Sequence, residues 1–228
     1  MPERPALVTG FEPYGGRGTN PAREVARALD GGRAAGMPVV ARTLPVSFIQ
    51  LRSRIAELLR ELDPAVVISL GLWPGEPMIR IERLAVNVAD FEIADNEGTL
   101  LVDRPVGDNG PAAYPATLPI RRIEGALLDV GIPARLSSTA GTFLCNACLY
   151  GFLEEAATAP RAALCGFMHL PYLPSQVAEL LKATRRDARL ELHQRADLAS
   201  MDLPTAVRAV QIALEVSVGE ALNRRRAG

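Results

Sequence analysis

Residues 65–71 read Ala-Val-Val-Ile-Ser-Leu-Gly, a run without the polar alternation of a half-exposed strand. A strand of that composition has to be covered on both faces, the usual situation of a parallel sheet held between helices. Other segments fit the same plan. Residues 6–10, 39–44 and 133–138 and Leu164–Leu170 are further strand candidates. Helical patterns separate them. Pro21–Leu29 has Asn20 as N-cap and stops at Gly31-Gly32; Phe48–Leu62 carries Ile55, Leu58, Leu59 and Leu62 on one stripe. Residues 118–130, 142–157 and 176–195 follow, and Asp202 caps a last helix striped by Val207, Val210, Leu214 and Val218. The alternation predicts an α/β class: a single-domain α/β/α sandwich over residues 1–228, with a mostly parallel twisted sheet. Residues 80–88 read as a strand half out of the core. Residues 91–110, with Asp95-Asn96-Glu97-Gly98 and Asp108-Asn109-Gly110, read as a short antiparallel excursion.

Composition narrows the partners. The 228 residues are 48% hydrophobic, enough for one sizeable core. Lys+Arg 25 against Asp+Glu 26 leaves a net charge of −1, which argues against nucleic acid or an anionic membrane surface and for a small molecule or peptide. The sequence opens without a charged-then-apolar leader, and its apolar runs fall short of the ~18 residues of a membrane helix, so a cytoplasmic location is expected. Cys145, Cys148 and Cys165 all lie in apolar segments and read as reduced thiols. The glycines at 15, 16 and 18 match neither phosphate-loop spacing, so they read as loop geometry rather than a nucleotide site.

One stretch carries chemistry. Ser138-Thr139-Ala140-Gly141-Thr142-Phe143-Leu144-Cys145-Asn146-Ala147-Cys148 leaves a strand and opens a helix, which puts Cys145 among free helix N-terminal amides. Those amides favour a thiolate and predict a thiol pKa below the usual ~8.5. A thiol also needs a base. Of the two histidines, His169 ends an apolar strand before Pro171, at the sheet edge where the Cys145 helix starts. His193 lies in a basic segment with Arg185, Arg186, Arg189 and Arg195 that reads as a solvated face, and no chemistry falls to it. Spacing alone leaves open whether Cys145 and His169 meet, and by itself Glu82 reads as a solvated residue or half of an ion pair.

At these residues the chain resembles the pyroglutamyl peptidase type I family, cysteine peptidases that remove an N-terminal pyroglutamyl residue. The resemblance is carried by Val8-Thr9-Gly10-Phe11-Glu12-Pro13-Tyr14-Gly15-Gly16 with Asn20-Pro21, by Glu82-Arg83 with Asn87, and by Asp95-Asn96-Glu97-Gly98. It continues through Gly110-Pro111-Ala112-Ala113-Tyr114, the 138–146 segment and Gly166-Phe167-Met168-His169-Leu170-Pro171-Tyr172-Leu173-Pro174. It implies a triad of Cys145 as nucleophile, His169 as general base and acid, and Glu82 orienting His169. It further implies a slot for the lactam ring walled by Phe11 and Tyr14, with Asn20, Leu72, Ile93, Phe143 and Leu144 at other substrate positions. No metal or organic cofactor is implied. The implied partners are N-terminally pyroglutamylated peptides and further copies of the chain, as a dimer or tetramer. Cys148 and Cys165 read as buried structural thiols.

Two positions depart from the family pattern. Where the family has Gly-Gln-Ala-Gly-Gly-Arg, this chain has Gly71-Leu72-Trp73-Pro74-Gly75-Glu76, so the ring-recognising glutamine is Leu72. Where the family usually has arginine, this chain has Glu92. These edits open an alternative, the same hydrolytic machinery acting on a related N-acyl or lactam amide. A non-catalytic binding protein would have no need of the triad.

Overall fold

The computed structural model describes residues 4–187 and 198–227. Its strands are β1 (Ala6–Phe11), β2 (Arg33–Ala34), β3 (Met37–Leu44), β4 (Val66–Leu72), β5 (Ile79–Glu82), β6 (Leu84–Val86), β7 (Ala113–Pro115), β8 (Ala134–Ser137) and β9 (Leu164–Leu170). Its helices are α1 (Pro21–Leu29), α2 (Phe48–Leu62), α3 (Ile120–Asp129), α4 (Leu144–Thr158), α5 (Pro174–Asp187) and α6 (Leu203–Ala227). Seven strands form one sheet in the order β2-β3-β1-β4-β9-β5-β8. β3, β1, β4 and β9 run parallel, whereas β5 is antiparallel to β9 and parallel to β8. β6 and β7 pair antiparallel in a separate two-stranded sheet, whereas residues 91–110, where the excursion was expected, hold no named strand and connect the two, with an isolated bridge between Ala89 and Arg104.

Because side chains alternate along a strand, each central strand feeds two cores. Val8, Ile68, Leu70, Ile81 and Met168 face a layer containing α1, α3 and α6. Leu7, Phe11, Val67, Cys165 and Phe167 face α2 and α4. The second face also carries the polar positions of the same strands: Thr9 on β1, Ser69 on β4, Arg80 and Glu82 on β5, and His169 on β9. Polar residues within otherwise apolar strands are thus gathered on the α4 side.

Local signals place the helices well. Asn20 accepts from the Ala22 amide at 3.0 Å and Ser47 from the Gln50 amide at 3.2 Å, so both caps act as their chemistry predicts. Other expectations need correction. Residues 80–88 are not one half-exposed strand: β5 is buried along its whole length, and the chain leaves the main sheet after Glu82 to form β6. The Cys145 helix starts at Leu144 rather than at 142, and the short edge strand β2 had no sequence signal. The helix expected over 176–195 begins at Pro174 and is described to Asp187. The reading of Arg185, Arg186, Arg189, His193 and Arg195 falls outside the described side chains. No helix among the described residues is long and apolar enough to cross a membrane.

Candidate active site

The site is built at one end of β4 and β9. Gly71 of β4 and His169 of β9 are register partners, and a Cβ at Gly71 would fall 2.7 Å from the Cys145 Sγ. The missing side chain leaves the space in which the sulfur sits against the sheet, beside the histidine strand. On the other side of His169, the antiparallel β5 pairs Arg80 with His169, and Glu82 reaches back to hold the imidazole. His169 Nδ1 and Glu82 Oε1 are 2.8 Å apart, with both side chains at 1% exposure or less. This contact fixes the tautomer in which Nδ1 donates and Nε2 is the acceptor.

α4 delivers the cysteine. Its first intrahelical backbone bond is donated by Ala147 to the Phe143 carbonyl at 3.2 Å, so the amides of Leu144, Cys145 and Asn146 precede the helical ladder. The helix end is fastened by Asn146, which is fully buried. Its Nδ2 donates to the carbonyls of Val86 and Val88 at 2.9 Å each, and its Oδ1 accepts from the Val86 amide at 2.8 Å. Thr142 adds a second fastening: its Oγ1 donates to the Asp90 carbonyl at 2.6 Å, and the Asp90 amide donates to the Thr142 carbonyl at 3.1 Å.

Cys145 and His169 line a cavity of about 320 Å³, and so do Phe11, Tyr14, Asn20, Leu72, Ile93, Phe143 and Leu144. Every substrate-wall residue expected from the sequence therefore lies on this one cavity. Glu82 stands behind His169 and is not part of the wall. Phe91 contributes from behind the surface, edge-on to Phe143 at 4.7 Å between ring centroids. Trp73, Asp90, Glu92 and Thr142 also line the cavity.

The charge states differ from the sequence expectation at the nucleophile. Burial pushes the Cys145 thiol up, and the nearby Cys148 and Glu82 add to the rise, against a smaller opposing effect of its own backbone amide. Burial likewise moves His169 down from its ordinary value, more than its bond to Glu82 raises it. Both shifts favour the neutral forms, against the thiolate that the helix N-terminus alone predicts. Burial pushes Cys148 and Cys165 up to about 12 as well, and both are fully buried free thiols. The Tyr14 phenol is pushed up to about 12 by burial and by Cys145, so it stands at the wall as a neutral donor.

These features match a known group of proteins. The sequence model of the pyroglutamyl peptidase family matches residues 4–220. The chain belongs to the pyroglutamyl peptidase family. It is 43% identical over 225 residues to the pyrrolidone-carboxylate peptidase of Chromobacterium violaceum, covering 97% of this chain and 96% of that protein. The Klebsiella pneumoniae pyrrolidone-carboxylate peptidase is 46% identical over 172 residues, 75% of this chain and 80% of that protein. Among solved structures, the pyrrolidone carboxyl peptidase from Thermococcus litoralis superposes with a TM-score of 0.88 at 35% identity, over 97% of this chain and 96% of that one. As a member of this family the chain is a hydrolase of the cysteine peptidase class.

Sequence reasoning missed part of the site. Arg80 and Asn146 had no role assigned, and Trp73 counted only among the departures from the family pattern that open the alternative substrate, yet Arg80 and Asn146 are buried polar residues with several partners. A usable signal for Arg80 was present: β5 alternates arginine and glutamate with isoleucine. In a strand flanked by bulky aliphatics, that pattern fits an inward-facing ion pair as well as a solvated face.

Proposed function

We propose that this member of the family is an exopeptidase that hydrolyses the amide bond following an N-terminal pyroglutamyl residue. The observation that carries the reading is the buried contact between His169 Nδ1 and Glu82 Oε1 behind a cavity whose wall holds Cys145. The cavity suits the substrate: it is small and largely apolar, and a pyroglutamyl group is a compact, uncharged lactam.

In the mechanism, His169 Nε2 takes the thiol proton as Cys145 Sγ attacks the carbonyl. Glu82 holds the ring in the tautomer that leaves Nε2 free and stabilises the imidazolium that forms. The oxyanion develops beside the free amides at the start of α4, which supply hydrogen-bond donors and the positive end of the helix dipole. Collapse of the tetrahedral intermediate passes the proton from His169 to the leaving amine and leaves a pyroglutamyl thioester on Cys145. Water then attacks the thioester with His169 again as base, releasing pyroglutamate and restoring the thiol.

A fluorogenic pyroglutamyl amide tests the reading directly. The wild-type protein should turn it over, Cys145→Ser should lose at least about three orders of magnitude in kcat, and Cys148→Ser should keep most of it. Activity retained by Cys145→Ser would end the proposal. Leu72 and Glu92 on the cavity wall favour a second reading, hydrolysis of a related lactam or N-acyl amide. A wild-type protein that is inert toward the pyroglutamyl amide but cleaves such a substrate through Cys145 would establish that alternative.

A further inference from the structure

Arg80 is 5% exposed, and its guanidinium is committed on every side. Nε donates to Glu82 Oε1 at 3.2 Å, the same oxygen that lies 2.8 Å from His169 Nδ1. Nη2 donates to Ser137 Oγ and to the Thr139 carbonyl, both at 2.7 Å, and Nη1 lies 3.5 Å from Glu76 Oε2. Its Cζ is 3.7 Å from the centroid of the Trp73 ring, and that ring stands edge-on to His169 at 5.0 Å. Burying a guanidinium is costly unless it is paired and fully hydrogen-bonded, and here the pairing converges on the histidine. Glu82 adds the complementary fact. Its Oε2 is buried without a hydrogen-bond partner among the described residues, so the carboxylate is oriented only through Oε1, by His169 and Arg80.

We propose that Arg80 is a positioning residue for the hydrolysis: it locks the Glu82 carboxylate in the rotamer that meets His169 and, with Trp73 stacked on its face, sets the imidazole in its working orientation. The inference rests on Cys145, His169 and Glu82 being the reacting set. Arg80 has two separable effects. Its fork geometry holds the carboxylate still, and its positive charge opposes protonation of His169. The other groups facing His169 are Glu82 beside it, Glu76 from the loop after β4, which also pairs with Arg135, and Cys145 from α4. Tyr14, Asp90 and Glu92 lie across the same cavity. None of them both hydrogen-bonds Glu82 and stacks on the Trp73 ring, as Arg80 does.

The test compares Arg80→Gln with Arg80→Lys, first on the pyroglutamyl amide. Arg80→Gln loses both effects: kcat should fall about ten- to a hundredfold, the range of one charged hydrogen bond, with KM within about threefold. Its acidic limb should move to higher pH, because a cation near the imidazole has gone. Arg80→Lys keeps the charge without the fork, so kcat should still fall while the limb stays in place. If Arg80→Gln does not fold because Glu76 keeps only Arg135 as partner, Glu76→Gln/Arg80→Gln removes that buried charge and carries the same expectation for kcat, with a smaller shift of the limb because Glu76 raises His169. A nuclear magnetic resonance titration of the imidazoles gives a readout that needs no turnover, since the chain has only two histidines and His193→Gln assigns them. His169 should titrate higher in Arg80→Gln than in the wild type. A folded Arg80→Gln protein with unchanged kcat, limb and His169 titration would overturn the proposal. Absence of wild-type turnover would overturn the functional reading instead, with the titration still deciding the role of Arg80.

Discussion

Replacing Gly71 with alanine tests the site at its tightest point. The added methyl would lie 2.7 Å from Cys145 Sγ and 2.8 Å from two ring atoms of Phe167. Ordinary nonbonded contact is about 3.5–4.0 Å, so each neighbour must give by roughly 0.8 Å or more. Phe167 is fully buried in the middle of β9, and Cys145 is anchored by its helix. Overpacking of this size costs about 1–3 kcal/mol, and for a chain of this length that lowers Tm by about 2–12 °C. The kinetic effect should be larger. A nucleophile displaced by nearly 1 Å from its base loses on the order of a hundredfold in rate, so kcat should fall by about that factor while KM changes little. The assay is steady-state turnover of the pyroglutamyl amide, read with a thermal melt on the same preparation. In a Phe167→Leu background one of the two clashes is relieved, so the added stability loss should shrink while the rate loss persists. A folded Gly71→Ala enzyme with kcat within about threefold of the wild type would refute the claim that the empty Cβ position seats the sulfur.

The cavity wall and the buried titratable groups yield two further predictions. Asp90 and Glu92 are both wall residues, so pyroglutamyl substrates with a cationic residue after the lactam should have kcat/KM about 2- to 5-fold above anionic ones at low salt. Glu92→Arg should narrow or reverse the preference, and an unaltered ranking would exclude a role for Glu92. In the proposed mechanism His169 is a neutral base, and burial lowers its pKa, so the acidic limb of kcat/KM should lie below the ordinary value of about 6.5. The same shift makes stability fall as pH drops below about 6.5, because the unfolded chain protonates its histidine first. Asp95 adds a second loss at lower pH. Burial opposes its ionisation, but the Phe48, Thr99 and Glu97 amides more than offset this and hold the carboxyl below its usual range, so its contribution disappears as acid protonates it. An activity limb above 6.5, or stability flat between pH 7 and 4, would contradict the assignment of these groups.

Much of the fold is legible because its signals are local. Asn20 with Pro21 carries the start of α1 in two residues, and the starts read at Pro21 and Phe48 agree with the structure. The uninterrupted run at β4 announces burial on both faces, and the strand is buried throughout. Pairing is not local. Nothing in residues 79–82 says that they insert antiparallel beside β9, and that placement is what turns Arg80 and Glu82 from an exposed-looking alternation into the support behind His169. The thiol is misjudged for the same reason. A helix N-terminus is visible in the sequence, but the burial that outweighs it arises only when Cys145 is packed against Gly71 and near Cys148. The resemblance named Cys145, His169 and Glu82 together because it transfers spatial neighbours that spacing cannot supply.

The double fastening of α4 has a consequence for how substrate arrives. Asn146 ties the nucleophile's helix to the backbone of Val86 and Val88, and Thr142 ties the approach to that helix to Asp90, just ahead of Ile93 on the wall. The sulfur and that side of the cavity therefore belong to one mechanical body: a wall segment that swung away as a lid would drag Cys145 off His169. A lid on that side is thereby excluded, and any step that precedes binding falls to the wall at Tyr14, Trp73 and Pro74, where a plateau in the observed association rate would report it.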